Sequence, residues 1–236
     1  MLTKPAPGTI HVWRWSLTLE PDRLPGLESQ LAADERQRAR RFLHDLHRDR
    51  FTAARVGMRV VLGRYLAQEP SAVRLAYREQ GKPYLANGSC NPGLEFNLSH
   101  AGDMAVLAVA TDIGVGIDIE YRRPLTEDIT SLLLSTEEKT RFDRLPHALR
   151  TDALIRCWTR KEAVVKAIGC GLSEPLDQFE VTFVPDEPPR VLRVVGCRQE
   201  AAHWMLVHLE PAPEYICAVA ARALEFGVDM FNLESL

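Results

Sequence analysis

The stretch WTRKEAVVKAIGCGL, Trp158 to Leu172, decides how the rest of the chain is read. From Thr151 to Ile168 there is no Pro or Gly. Ala153, Leu154, Cys157, Val164, Val165 and Ile168 recur at helical spacing, so a helix is expected. Gly169 and Gly171 then end it, as glycine does just past a helix C-terminus. Trp158, Glu162 and Lys166 stand four residues apart, which stacks an indole, a carboxylate and an ammonium along one face. An exposed Glu–Lys pair beside a core tryptophan would leave the same pattern. A second acidic cluster upstream argues for more than that.

That cluster is GVGIDIE, Gly114 to Glu120. Val115, Ile117 and Ile119 alternate with Gly116, Asp118 and Glu120, the period of a strand. Asp118 and Glu120 therefore leave one face, with Cα atoms about 6–7 Å apart. Two acids this close in an apolar strand raise each other's proton affinity unless a cation lies between them. Carboxylate oxygens suit Mg²⁺, and Mn²⁺ takes the same ligands. The plain alternative is a strand end whose acids face water, because Tyr121, Arg122, Arg123 and Pro124 follow as a loop.

Around these stretches the chain has the make-up of a soluble globular protein, with 46% apolar and 26% charged residues. Its 236 residues allow one large domain or two of about half that length. A net charge of −3 argues against a general polyanion binder. No run approaches the ~20 apolar residues of a membrane span, and MLTKPAPGTI has no apolar signal-peptide core. Five cysteines (Cys90, Cys157, Cys170, Cys197, Cys217) without a CxxC argue against a zinc site or disulfide framework and for a reducing cytoplasm.

Ile10 to Leu17 is expected to be a strand, broken by Pro21 to Gly26. A long helical region then runs from Ala33 or Asp34 to about Ala67, with Phe42, Leu43, Leu46, Val56, Val60, Val61 and Leu66 as its apolar stripe. Between Arg36 and Arg64 nine arginines stand against Asp45 and Asp49, a local excess of seven positive charges. Most of these read as a solvated face. The functional reading is an anion site, since arginine pairs bidentately with phosphate. Nucleic acid is disfavoured, because no aromatic stacking pattern accompanies the charge.

Val73 to Tyr77 is expected as a short strand, GKPYL (Gly81 to Leu85) as a turn carrying a mobile Lys82, and Asn87 to Gly93 as a loop. Leu94 to Leu98 reads as a strand running into FNLSH, Phe96 to His100. Ser99 and His100 face opposite ways on a strand, which argues against a Ser–His dyad and fits a strand end that grips phosphate. Met104 to Ala110 is a buried strand, and the turn at Thr111 to Gly114 brings Ser99 and His100 towards Asp118 and Glu120. Leu125 to Leu149 holds one or two helices, with a capping box at Ser135 and Glu138. Gln178–Val184, Val191–Val195, Trp204–Leu209 and Tyr215–Ala221 read as an antiparallel meander. Helix followed by strands thus occurs twice. The expected fold class is α+β, with two similar halves, 1–112 and 113–236. Each has a long helix packed on a mainly antiparallel sheet, and the site lies in the cleft between them.

Taken in order, GKPYL, FNLSH, GVGIDIE and WTRKEAVVKAIGCGL resemble the 4′-phosphopantetheinyl transferase superfamily, in its long, single-chain Sfp-type class. RARRF in the arginine-rich region is similar too, and the resemblance thins after about Phe183. Ala101 stands where many members carry a second serine. The resemblance implies a pseudo-dimeric α+β fold. It also implies transfer of the 4′-phosphopantetheine arm of coenzyme A to a serine of an apo acyl or peptidyl carrier protein, leaving 3′,5′-ADP. Such carriers serve fatty-acid, polyketide and nonribosomal-peptide synthesis.

By the same resemblance, Asp118, Glu120 and Glu162 hold Mg²⁺, and Asp118, Glu162 and Lys166 form the catalytic group. Lys166 adds a cation beside the phosphates, and Glu162 is the base, directly or through water. Arg38 grips the 3′-phosphate, helped by Arg36 or Arg41, since Glu35 replaces a lysine found in some members. Gly81, Lys82, Pro83 and Tyr84 line the adenine side, and Asn97, Ser99 and His100 meet the coenzyme from the first half. An acidic carrier is expected to dock at Leu125–Leu149, near Arg122, Arg123 and Arg141. A cytoplasmic monomer is expected, with neither nucleic acid nor membrane as partner. On the residues alone two other readings stay open. One is another Mg²⁺-dependent nucleotide transferase. The other is a non-catalytic coenzyme A- or carrier-binding module, which would not need three carboxylates together.

Overall fold

The computed structural model describes residues 2–19, 23–86, 93–123, 127–169, 175–194 and 201–234. Pro124, Gly171, most of the Asn87–Gly93 loop, the end of the Val191–Val195 strand and three of the five cysteines (Cys90, Cys170, Cys197) lie outside them.

Two helices of 22 residues organise the chain: α3 (Asp45–Leu66) and α6 (His147–Ile168). Each ends on a left-handed residue, Ala67 at φ 53° and Gly169 at φ 80°, whose N–H returns to Gly63 O and Val165 O respectively. The order of strands is also repeated. In the first half β1 (Thr9–Ser16), β4 (Leu94–Ala101) and β5 (Met104–Thr111) run β1-β5-β4, beside a hairpin of β2 (Leu75–Tyr77) and β3 (Pro83–Leu85). In the second, β6 (Val115–Tyr121), β9 (Met205–Leu209) and β10 (Tyr215–Ala221) run β6-β10-β9, beside a pair of β7 (Phe179–Val181) and β8 (Val191–Val194). All these pairings are antiparallel. The fold is thus the expected pseudo-dimeric α+β. The last strand, β11 (Gly227–Asn232), crosses back and pairs parallel with β1, Thr9 opposite Gly227.

Alternation builds the layers. Trp13, Trp15, Leu107 and Val109 face α3, where Ala54, Met58 and Leu62 meet them. Val12, Val106 and Ala108 point the other way and pack on Ile117, Ile119, Cys217 and Val219 between the sheets. Ala218 and Ala220 lie under Val164 and Val165 of α6. Each long helix therefore covers the outer face of its own sheet, and the inner faces form a shared core.

A buried glutamate–cation pair locks each half, at matching places. Arg59 and Lys161 are both the fifteenth residue of their helices, and both are essentially inaccessible. Arg59 donates Nε to Glu35 Oε2 at 2.6 Å and Nη1 to the carbonyls of Pro70 and Val73. Lys161 Nζ donates to Glu138 Oε2 and to the carbonyls of Leu133 and Leu176. Both glutamates also accept the N–H of the residue that caps their own short helix, α2 (Ala33–Ala39) or α5 (Thr136–Asp143). Burying a charge is tolerable only with such partners.

Several expectations need correction. The single long helix is two, α2 and α3, broken at 40–44, where His44 is extended (φ −112°, ψ 132°). Phe42, Leu43 and Leu46 are therefore not part of a buried stripe, because the covered face of α3 begins at Phe51. A short helix, α1 (Leu24–Glu28), occupies part of the predicted break after β1. GKPYL is half strand: Gly81, at φ 84°, turns the β2–β3 hairpin and Pro83 to Leu85 pair with β2. The meander is split, since β7 and β8 form their own ribbon. By contrast, the helices expected between β6 and α6 are present among the described residues, α4 (Glu127–Leu133) and α5, the second with the predicted capping box.

Candidate active site

Gly116 is where the two signature stretches meet. A Cβ there would lie 2.0 Å from Ala163 O and 2.4 Å from Ala167 N, both backbone atoms of α6. Its bare backbone lets α6 rest directly on β6 and carries Glu162 and Lys166 over Asp118 and Glu120. Strand β4 closes the other side: Asn97 Oδ1 accepts the Ile117 N–H at 2.9 Å. Ser99 Oγ donates to Asp118 Oδ1 at 2.9 Å. Lys166 Nζ donates to the same Asp118 oxygen at 2.6 Å and to Ser99 Oγ at 3.1 Å. Lys82, expected as a mobile cation, is a tether instead: its Nζ donates to Val115 O at 3.0 Å and Lys166 O at 2.5 Å.

These groups line a cavity of about 580 Å³. It brings together Gly81, Lys82, Asn97, Ser99, His100, Asp118, Glu120, Glu162 and Lys166, with Trp158 and Gln80 as further walls. Arg38 stands in an adjoining cavity that shares His100 and Glu120 with the first. Arg38 and Arg41 also line a third cavity, beside Glu35 and Arg55. Arg36 donates to Leu31 O and lines none of the three. Pro83 and Tyr84 lie outside the cleft lining, and the Tyr84 ring sits 5.7 Å from the Arg78 guanidinium. Glu35 is spent on Arg55 and Arg59.

Burial shapes the electrostatics. It pushes the Glu120 carboxyl up to about 7, with Asp118 adding to the rise. It raises Glu162 as well, again with help from Asp118. Burial would lower the Lys166 ammonium, but Asp118, Glu162 and Glu120 outweigh it and hold that pKa above the ordinary value. Desolvation and the charges of Lys166 and Arg50 lower His100, so its imidazole is neutral near pH 7. Among the described residues, no three His, Cys, Asp or Glu side chains are already gathered around a metal position. Lys166 instead occupies Asp118 Oδ1. Yet Asp118 Oδ2 and Glu162 Oε1 are buried oxygens with no hydrogen-bond partner. An all-oxygen set, with Glu120 and Glu162 raised in proton affinity and unpartnered lone pairs on Asp118 and Glu162, fits a hard divalent cation.

Comparison with known proteins identifies the family. The family model described as the 4′-phosphopantetheinyl transferase superfamily matches residues 114–220, and that of the 4′-phosphopantetheinyl transferase N-terminal region matches 19–112. The 4′-phosphopantetheinyl transferase HetI of Nostoc sp. is 38% identical over 214 residues, covering 89% of this chain and 86% of that protein. The chain belongs to the 4′-phosphopantetheinyl transferase superfamily. Other transferases of the family are similar to it as well. Sfp of Bacillus subtilis is 31% identical, over 67% of this chain and 69% of its own. The L-aminoadipate-semialdehyde dehydrogenase-phosphopantetheinyl transferase of Schizosaccharomyces pombe is 30% identical, over 74% and 71%. Both halves of the pseudo-dimer carry a family match, and the signature stretches lie in the matched regions.

Proposed function

We propose that the cleft lined by Asp118, Glu162 and Lys166 is where this transferase moves the 4′-phosphopantetheine arm of coenzyme A to a serine of an apo carrier protein. The observation that carries the reading is the packing of α6 on Gly116, which sets a lysine and unpartnered carboxylate oxygens in one cavity of a family member. The serine Oγ attacks the phosphorus that bears the pantetheine arm. The bond from that phosphorus to the bridging oxygen breaks, and 3′,5′-ADP leaves. Glu162 takes the serine proton, directly or through a water. Lys166 and the neutral His100 donate to phosphate oxygens as charge gathers on the leaving group. Arg38 and Arg41 face the 3′-phosphate. Asp118, Glu120 and Glu162 would hold Mg²⁺, which would supply charge neutralisation at the pyrophosphate.

Among the described residues no helix is long and apolar enough to cross a membrane, and the two free cysteines described are buried. The protein substrate in this reading is an acyl or peptidyl carrier. The test is the intact mass of an apo carrier after incubation with this protein, coenzyme A and Mg²⁺, beside an EDTA control. A gain of one phosphopantetheine, lost with EDTA, is expected. No gain on any of several unrelated carriers, with protein shown to be folded, would refute the reading.

A further inference from the structure

The two oxygens of Asp118 stand in unlike surroundings. Oδ1 accepts from Ser99 Oγ at 2.9 Å and from Lys166 Nζ at 2.6 Å, and Lys166 Nζ also donates to Ser99 Oγ at 3.1 Å. Carboxylate, hydroxyl and ammonium thus close a triangle at one side of a residue that is 4% exposed. Oδ2 is buried with no hydrogen-bond partner, as is Glu162 Oε1. A positive charge is therefore already lodged among the acids, beside the oxygens left for a cation. It repels a divalent ion arriving at them, and at this burial water and salt screen the repulsion little.

The ammonium can leave without moving the helix that carries it. Lys82 Nζ holds the Lys166 carbonyl at 2.5 Å and the Val115 carbonyl at 3.0 Å, so the backbones of both signature stretches are pinned from the first half. The Lys166 side chain is 29% exposed, against 5% for that of Asp118, and it lines the cavity. It swings on a flexible four-carbon stem and has three donors. A phosphate group in the cavity offers it several charged oxygens, where Asp118 offers one.

We propose that Lys166 is a built-in competitor for the divalent cation and that the phosphates of coenzyme A release it. Paired with Asp118, the ammonium weakens cation binding. Drawn onto phosphate, it leaves Asp118 to the cation. Coenzyme and cation then bind with positive coupling, each raising the affinity for the other. The cation is admitted chiefly where coenzyme already fills the cleft. The inference rests on the transferase reading and adds how its site is assembled. The opposing view is a fixed Lys166–Asp118 bridge that shapes the site and stays in place.

Mn²⁺ is the probe, because it takes the same oxygen ligands and the unbound ion is counted by electron paramagnetic resonance. Binding is measured on the wild-type protein, Lys166→Met and Lys166→Gln, each alone and with coenzyme A, without carrier. Lys166→Gln keeps a donor for Asp118 but no charge, and stands in should Lys166→Met not fold. Urea midpoints report folding. Alone, both variants should bind Mn²⁺ about tenfold or more tighter than wild type, and adding Asp118→Asn to Lys166→Gln should erase the gain. Coenzyme A should tighten Mn²⁺ binding more in the wild-type protein than in the variants. The phosphates also ligate the ion directly, so this difference, not the rise itself, measures the coupling. Variants that alone bind Mn²⁺ within about twofold of wild type, or more weakly, overturn the competition and leave the transferase reading intact. No Mn²⁺ binding by any of these proteins, with or without coenzyme A, overturns the metal assignment and the competition together. Absence of transfer by the wild-type protein to every carrier overturns the transferase reading itself.

Discussion

Replacing Lys161 by Met removes the cation from the second-half ion pair while roughly keeping its volume. Three acceptors lose their donor together: Glu138 Oε2, Leu133 O and Leu176 O. Glu138 is 1% exposed, so water cannot take over. It keeps the N–H groups of Ser135 and Val181, but no opposite charge remains on it. Removing one partner of a buried pair costs about 3–5 kcal/mol, and each stranded carbonyl adds up to ~1–3 kcal/mol if nothing relaxes. The terms share one site and do not add, so about 4 kcal/mol is the expectation. For a chain of this size, ~2–4 °C per kcal/mol puts the fall in Tm at about 8–16 °C. Urea unfolding of Lys161→Met, Glu138→Gln and the double variant measures it. The double variant should recover a large part of the loss, since it leaves no buried charge unpaired. A loss under about 1 kcal/mol for Lys161→Met, or a double variant no better than the single one, would refute the argument.

Gly116→Ala should separate α6 from β6, destabilise the protein by about 1–3 kcal/mol and cut transfer about a hundredfold. Gly114→Ala, whose Cβ would meet Ala167 O at an ordinary 3.5 Å, should do neither. Equal effects of the two in paired activity and unfolding assays would count against the close-approach explanation. Asp118→Asn takes the counter-charge from Lys166, and single-turnover transfer should drop about a thousandfold or more. Rates within tenfold of wild type at saturating Mg²⁺ would contradict the role given to Asp118. Burial holds the Lys82 ammonium at about 8, against 10.5 in the unfolded chain. Below pH 8 the folded state carries the whole penalty, and between pH 8 and 10.5 it is relieved. Wild-type stability relative to Lys82→Met should therefore rise over that interval. A flat difference across pH 7 to 10 would exclude the effect.

The site was legible in the sequence because its two halves lie on elements with clean periods. GVGIDIE alternates strictly, and Trp158, Glu162 and Lys166 share a helix face, so both faces could be read without knowing how they meet. What escaped depends on distant partners. Nothing local marks Glu35 as the companion of Arg59, 24 residues away, or Lys82 as a donor to the carbonyl of Lys166. The break at 40–44 carries no Pro or Gly, and its Phe42 and Leu43 imitated a core stripe. Strand β11 shows no alternation to read, since most of it is exposed or half-exposed. Its pairing with β1 is a matter of topology alone.

That closing strand has a mechanical consequence. Because β11 belongs by chain order to the second half but by hydrogen bonding to the first, the halves are joined as by a swap within one molecule. A chain cut at the left-handed Asp112, which turns β5 into β6, would yield two fragments that each lack a neighbour. The first would expose the edge of β1, and the second would trail an orphan strand. Neither fragment is then an independent folding unit. Mixed, they have a built-in clasp, six residues long on each side, to bring Lys166 and the serine of FNLSH back together.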